Sequence, residues 1–116
     1  MIVVNKASEA DVVVINASEE ERDKHLVLLR ITGHAQYSAG NDIVCAGVSA
    51  IAYAFLGYLQ NFPLYEAKES PCANEQGLFV RIYTTDPGIL AAYEMAVIGL
   101  MQIAAKYPDN VCVVGY

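Results

Sequence analysis

A cysteine and a histidine lie eleven positions apart in one short stretch of this sequence, and together their side chains could perform nucleophilic chemistry. His34 follows a β-rich run and Cys45 lies near the start of a long apolar segment, with a glycine-containing loop between them. A cysteine thiolate is a strong nucleophile, and a neighbouring imidazole can accept or donate the proton. The pair therefore fits a hydrolase in which Cys45 attacks a carbonyl carbon while His34 serves as acid and base.

Asp42 lies three positions before Cys45, where the cap of a helix is expected. As a cap, its carboxylate would accept a hydrogen bond from the amide of Val44 or Cys45, and the helix start favours a thiolate. The carboxylate itself disfavours a thiolate, so an imidazolium at His34 would have to offset it. Asp42 could instead orient the imidazole, as acids do in other cysteine hydrolases. Both roles are open at this point.

Each of these residues also has an ordinary structural explanation. A lone cysteine on a helix is usually a packing residue, and a histidine after glycine at a strand end can be a turn residue. Ser49 lies one helical turn beyond Cys45, where a hydroxyl commonly bonds back to a carbonyl. We assign no chemical role to Cys72 or Cys112, which have no histidine nearby in sequence, or to His25, which borders a charged cluster.

The composition indicates one domain with a substantial core. The chain has 116 residues, of which 55% are hydrophobic, enough for a single core and too few for two. Three cysteines form neither a metal-type pair nor a disulfide framework, and no charged and apolar leader precedes them. We therefore expect free thiols in the cytoplasm, with no metal and no other cofactor. A net charge of −6 argues against nucleic-acid binding, which usually needs a basic face.

Hydrophobic patterns predict an α+β fold. The elements follow the order strands, helix, two strands, helix, strand, which favours two helices packed on a largely antiparallel sheet of about four to five strands. The predicted strands are Met1–Val4, Asp11–Asn16, His25–Thr32, a weaker Leu64–Lys68, Gly77–Thr84 and Val111–Val114. The predicted helices run from Ile43 to about Asn61, and from Pro87, capped by Asp86, to Tyr107.

The first predicted helix is uncharged and apolar nearly all around its axis. Such a helix needs cover on more than one side, from a sheet on one face and from a second helix or another subunit on the other. A membrane span is the alternative. However, the uncharged helical part, 43–59, is at the short limit for crossing a bilayer, contains Gly47, Ser49 and Gly57, and lacks flanking lysines. We expect a buried helix and no membrane partner.

The stretch Gly33–Ala50 resembles the signature of the bacterial ribosomal-processing cysteine protease family. It contains Gly-His-Ala, a short loop with a glycine, Asp-Ile-Val-Cys-Ala and Val-Ser-Ala without a break. The resemblance implies that His34 and Cys45 are the catalytic pair, supported by Asp42 and Ser49. It also implies the substrate, the precursor of large-subunit ribosomal protein twenty-seven, from which the family removes an N-terminal leader ending in an apolar, aromatic segment.

The resemblance implies further properties of the whole chain. Members of the family are typically homodimers, which agrees with a first helix too apolar to be half exposed. They usually begin with the strand matched here to Asp11–Asn16. Residues 1–10 would then be an N-terminal extension of a single domain that spans 1–116.

The loop between His34 and the first helix is expected to take part in substrate binding. Gly33 allows the sharp turn at its start, and Gly40 would be its pivot, so that the loop orders around a bound peptide. Four aromatic residues could contact an aromatic leader, but they are left out of the predicted site because tyrosines on a helix are more often core or dimer surface. They are Tyr37, Tyr53, Phe55 and Tyr58.

Two other functions fit the same residues. A non-catalytic module that binds a ribosomal protein would need Cys45 only as a core residue, whereas the joint presence of His34, Asp42 and Cys45 favours an enzyme. A thioesterase or another acyl hydrolase could use the same Cys/His pair, and only the family resemblance disfavours it.

Overall fold

Two helices and a five-stranded sheet make up the computed structural model, which describes residues 1–8, 25–36, 38, 40 and 42–115. The strands are β1 (Ile2–Ser8), β2 (His25–Thr32), β3 (Cys72–Asn74), β4 (Gly77–Thr84) and β5 (Val111–Gly115). The helices are α1 (Ile43–Asn61) and α2 (Pro87–Lys106). The predicted α+β class and the bounds of β2, β4 and α1 are confirmed.

The strands follow the order β3-β4-β2-β1-β5 across the sheet. Neighbouring strands are antiparallel except for β1 and β5, which run parallel with Ile2 opposite Val111. The sheet is therefore largely antiparallel, as predicted. The first strand of the chain lies inside the sheet, between β2 and β5.

One face of the sheet carries the core. Successive side chains of a strand point to opposite faces, and alternate residues of β2 and β4 are buried on the same side: Val27, Leu29 and Ile31, with Leu78, Val80 and Ile82. Both helices pack on this side through residues at helical spacings. Those of α1 are Val44, Val48, Ala52, Phe55, Leu56 and Leu59, and those of α2 are Ile89, Tyr93, Ala96, Val97 and Leu100.

Both helices are long and apolar enough to cross a bilayer if length and composition alone are considered, with mean hydropathies of 1.7 and 1.6. In this structure α1 packs against the sheet on one side and against α2 on another. The prediction that α1 needs cover on more than one side is confirmed, and the second helix supplies part of it.

The predicted strand at Leu64–Lys68 is wrong. Only Glu66 pairs with β4, through two backbone hydrogen bonds of 2.8 Å with Tyr83. β4 instead forms a hairpin with β3, in a segment for which no strand was predicted. Its turn is closed locally by Asn74, whose side chain accepts a hydrogen bond of 2.8 Å from the amide of Gln76. A short hairpin loop loses less chain entropy on closure than a longer connection does.

The predicted strand at Met1–Val4 is present and extends to Ser8 as β1. Ile2 and Val4 are buried in the core. The predicted N-terminal extension, residues 1–10, thus contributes a strand to the sheet. The strand predicted at Asp11–Asn16 lies outside the described residues.

Candidate active site

The corner after β2 requires a glycine. Gly33 has φ +93°, a conformation that side chains with a Cβ rarely adopt, and a Cβ at this position would collide with the carbonyl oxygen of Met1. The chain therefore turns sharply against the start of β1. The next residue, His34, leaves the sheet with an exposed side chain.

Asp42 caps α1 and holds the backbone of its first turn. One of its carboxylate oxygens, Oδ1, accepts hydrogen bonds from the amides of Val44, at 3.1 Å, and Cys45, at 3.0 Å. Cys45 is thus the third residue of the helix, half-buried, with its sulfur at the positive end of the helix dipole. Of the two roles predicted for Asp42, capping is the one that the structure shows.

The loop and the helix meet at the sulfur. The backbone amide of Ala35 donates a hydrogen bond of 3.2 Å to Sγ of Cys45. A donor aimed at the sulfur stabilises negative charge there and opposes the effect of the nearby Asp42 carboxylate. Because Ala35 directly follows His34, the same contact brings the histidine backbone next to the first turn of α1.

His34 and Cys45 line one open cavity of about 190 Å³. Two further residues of α1, Ser49 and Tyr53, form a side of it, and the β3–β4 hairpin contributes Asn74 and Glu75. Apolar residues complete the lining: Ile2, Ile31, Val48, Ala52, Ala73 and Leu78. A thiol and an imidazole therefore share a cavity with apolar walls and a polar, partly acidic edge.

Most of the predicted site residues are brought together here. Gly33 and Ser49 line the cavity with the Cys/His pair, while Asp42 supports the helix start. Gly40 is exposed, and a Cβ there would meet no atom within 4 Å, so no contact requires glycine at this position. Ordering of the loop 35–41 around substrate stays a prediction, and positions 37, 39 and 41 lie outside the described residues.

One of the aromatic residues left out of the predicted site belongs to it. Tyr53 lines the cavity with its side chain 62% exposed. It lies four positions after Ser49, and this i, i+4 spacing on one helix face was a signal that sequence alone contained. Phe55 is a core residue packed against Tyr93 at a centroid distance of 6.0 Å, and Tyr58 packs on Phe62 at 4.8 Å. Tyr37 lies outside the described residues.

Other parts of the site come from distant segments and were not predicted. Asn74 and Glu75 reach the cavity because β3 pairs with β4. Asn110 donates a hydrogen bond of 2.8 Å from Nδ2 to the carbonyl oxygen of Ala35. No local pattern links these residues to the Cys/His stretch. Among the described residues, no group of three or more His, Cys, Asp or Glu side chains could hold a metal ion.

Comparison with known proteins agrees with a cysteine-based site. The sequence model of the family described as cysteine protease Prp matches residues 14–112. No curated protein matches the sequence of this chain.

Solved structures share the fold. An essential ribosomal processing protease Prp from Staphylococcus aureus, in complex with a covalently linked product peptide, superposes with a TM-score of 0.73 at 21% identity, covering 100% of both chains. The same protease with a substrate peptide gives a TM-score of 0.62 at 22% identity, again over 100% of both chains. A protein from Streptococcus mutans gives 0.64 at 19% identity, covering 99% of this chain and 93% of its own.

Proposed function

This chain belongs to the Prp family of cysteine proteases, and we propose that it removes the N-terminal leader from the precursor of large-subunit ribosomal protein twenty-seven, with Cys45 as nucleophile and His34 as acid and base. The observation that carries this proposal is the shared cavity of Cys45 and His34, together with the Ala35 amide aimed at the sulfur. Neither packing nor partner binding alone would require that combination.

The proposed reaction has two stages, acylation of Cys45 and hydrolysis of the acyl-enzyme. The thiolate of Cys45 attacks the carbonyl carbon of the scissile peptide bond and forms a carbon–sulfur bond. The imidazolium of His34 donates its proton to the leaving amine, the C–N bond breaks, and an acyl-enzyme remains. The imidazole then removes a proton from water, which attacks the acyl carbon and releases both the leader and the thiolate.

The oxyanion that forms during attack needs hydrogen-bond donors. The amides of Val44 and Cys45, which helix geometry suggests for this role, already donate to Asp42. The amide of Ala35 donates to the attacking sulfur itself. When the sulfur transfers its negative charge to the carbonyl oxygen of the substrate, the Ala35 amide is the candidate donor to that oxygen.

The walls of the cavity support an apolar, aromatic leader as substrate. Apolar side chains of β1, β2, β4 and α1 line it, and the exposed ring of Tyr53 provides a surface for an aromatic residue. The Staphylococcus aureus protease of the same fold is a ribosomal processing enzyme and binds a peptide. These two observations favour a ribosomal leader over an arbitrary peptide.

Peptide cleavage tests the proposal. A peptide that spans the leader junction is incubated with the native chain, Cys45→Ala and His34→Ala, and product formation is followed. We expect both variants to lose activity on the order of a thousandfold or more. The matched controls are Cys112→Ala and His25→Ala, which remove the same side chains elsewhere and should cleave at the native rate.

Other outcomes would replace the proposal. If the native chain binds the peptide and leaves it whole, a non-catalytic binding module is the better description. If it hydrolyses a thioester and leaves the peptide whole, the same pair serves an acyl hydrolase. A scrambled leader cleaved as fast as the natural order would show a protease without the ribosomal specificity.

We also propose that the chain acts as a homodimer in the cytoplasm. Three apolar side chains of α2 are exposed on one side of the helix, namely Met95 at 72%, Ile98 at 55% and Met101 at 49%. Met95 also lines an apolar groove between α1 and α2 that includes Ala54 and Ala96, and such a face suits a second copy of the chain. The three cysteines are free thiols, which suits a reducing compartment.

A further inference from the structure

Asn110 connects the turn before β5 to the segment that carries the histidine. Its backbone is fixed on both sides: its amide donates to the carbonyl of Tyr107 at 3.0 Å, and its carbonyl accepts from the amide of Ile2 at 2.8 Å. Its half-buried side chain then donates from Nδ2 to the carbonyl of Ala35 at 2.8 Å. The side chain thus extends from a rigid backbone to the active-site loop.

Ala35 is held at both of its backbone polar groups. Its carbonyl accepts from Asn110, its amide donates to Sγ of Cys45, and its side chain is 1% exposed. The next residue, Gln36, has φ +56°, a left-handed conformation that is disfavoured for residues with a Cβ. A turn with such a residue persists only where the surrounding structure holds it.

We propose that Asn110 is a positioning residue for the catalytic pair. By holding the Ala35 carbonyl it fixes the turn at 35–36, keeps the Ala35 amide directed at the sulfur, and places the backbone of His34 beside the helix start. This inference rests on the proposed function, since it assumes that Cys45 and His34 are the reacting pair. Asn110 acts through Ala35 and does not contact the reacting atoms.

Removal of the Nδ2 donor is expected to lower the reactivity of the thiol. Without this bond the Ala35–Gln36 turn relaxes, the Ala35 amide moves away from Sγ, and the sulfur loses a donor that stabilises negative charge during attack. The cavity walls that bind the substrate come mainly from α1 and from the β3–β4 hairpin, so substrate binding should change little. The expected signature is a lower kcat with a nearly unchanged KM.

Two variants test this inference with different changes in volume and charge. Asn110→Asp keeps the shape but replaces the donor with an oxygen, and Asn110→Ala removes the side chain. The control is Asn61→Asp, because Asn61 also donates from Nδ2 to a carbonyl, that of Gly57 at 2.7 Å, at the far end of α1. The parent chain and all variants also carry Cys72→Ala and Cys112→Ala, so that Cys45 is the one cysteine that iodoacetamide can alkylate. Thermal unfolding checks that each chain is folded at the assay temperature.

The readouts are the rate of Cys45 alkylation by iodoacetamide at neutral pH and the kcat and KM for the leader peptide. We expect both Asn110 variants to alkylate at least fivefold more slowly and to lose at least tenfold in kcat, with KM within twofold. Asn61→Asp should match the parent in all three. A variant that is only less stable, but folded at the assay temperature, would keep the parent alkylation rate and kcat, whereas loss of a positioning residue lowers both.

Two results would overturn the inference. If the Asn110 variants alkylate and turn over at the parent rates but unfold at a lower temperature, Asn110 has only a structural role. If they alkylate faster than the parent, the hydrogen bond from Asn110 to Ala35 only restricts access of the reagent to the sulfur. Alkylation also separates this inference from the proposed function. If the parent chain cleaves no peptide but the Asn110 variants still alkylate slowly, the proposed function fails, while the effect of Asn110 on the thiol of Cys45 stands.

Discussion

Asp42 shows how a single residue fixes Cys45, the proposed nucleophile, by holding its backbone. Its Oδ1 accepts from the amides of Val44 and Cys45, two groups at the helix start that would otherwise have no partner within the helix. The same residue places a carboxylate near the sulfur of Cys45, which acts as a thiolate in the proposed reaction. Asp42 fixes the geometry of the first turn, but its negative charge disfavours negative charge on the nearby sulfur. The Ala35 amide, which donates to Sγ, opposes this effect.

Replacement of this cap should affect stability and catalysis together. Asp42→Ala is expected to lower the free energy of unfolding by about 1 kcal/mol, the usual cost of losing a helix cap, and to slow leader cleavage because the first turn loosens around Cys45. Asp42→Asn keeps the acceptor and should retain most of the stability. Denaturant unfolding and peptide cleavage measure the two effects.

The control for this prediction is the cap of the other helix. Asp86 accepts from the amide of Ile89 at 2.9 Å in the same manner, far from the Cys/His pair in sequence. Asp86→Ala should cost similar stability and leave cleavage at the native rate. Equal cleavage by Asp42→Ala and Asp86→Ala would show that the α1 cap has no special part in catalysis.

At this scale the local part of the site was predictable and the distant part was not. His34, Asp42, Cys45 and Ser49 lie within one stretch, where the spacing along a strand end and a helix start limits their geometry. The contribution of Asn110 depends on the pairing of β1 with β5. A residue whose role comes from such a long-range contact leaves no periodic signal in the sequence.

The helices show a similar division between local and tertiary effects. Gly57 lies within α1, and a Cβ added there would meet no atom within 4 Å. A glycine inside a helix costs roughly 0.5–1 kcal/mol relative to alanine, because its unfolded chain has more freedom to lose. Gly57→Ala should therefore stabilise the chain by about that amount, measured by denaturant unfolding.

A second helical glycine provides the contrast for this prediction. At Gly88, in the first turn of α2, a Cβ would collide with the hydroxyl oxygen of Tyr58 and lie 3.0 Å from a carboxylate oxygen of Asp86. Gly88→Ala should be neutral or destabilising despite the same gain in helix propensity. If Gly57→Ala proves no more stable than Gly88→Ala, packing around Gly57 is tighter than this structure shows.

Long elements with a clear period were predicted well, and short ones were not. Alternation in Gly77–Thr84 and helical spacing in Ile43–Asn61 repeat often enough to identify the element, and Asp86 with Pro87 marks a helix start. The strand Cys72–Asn74 has three residues and too few positions for any period to appear. It exists because the turn at Asn74 returns the chain onto β4, a tertiary outcome that overrides the stronger β propensity of 64–68.

The surface of the whole molecule leads to a prediction about assembly. Met95 is exposed beside the groove between α1 and α2. If this face joins two copies, Met95→Lys should shift the chain to monomer, because a charge would have to be buried in the interface. The added lysine lowers the net charge of −6 in magnitude, so general repulsion between copies cannot explain the loss.

Sedimentation equilibrium at micromolar concentrations measures this shift. The control is Val114→Lys, which places the same charge on an apolar side chain that is 43% exposed on β5. It should leave the native assembly intact. A native chain that sediments as a monomer would remove the homodimer proposal and leave the exposed face of α2 without a partner.

The position of β1 between β2 and β5 has a consequence for how an active enzyme arises during synthesis. β1 has no parallel neighbour until β5 has been synthesised. The hydrogen bond from the Ile2 amide to the Asn110 carbonyl can form only then. Pairing between strands so far apart in sequence is also slow, because a long loop must be closed first. Cys45 and His34 are synthesised well before Asn110, the residue that we propose positions them. A nascent chain on the ribosome would therefore contain Cys45 and His34 before the contact that we propose positions them, and full proteolytic activity would begin only after β5 had joined the sheet.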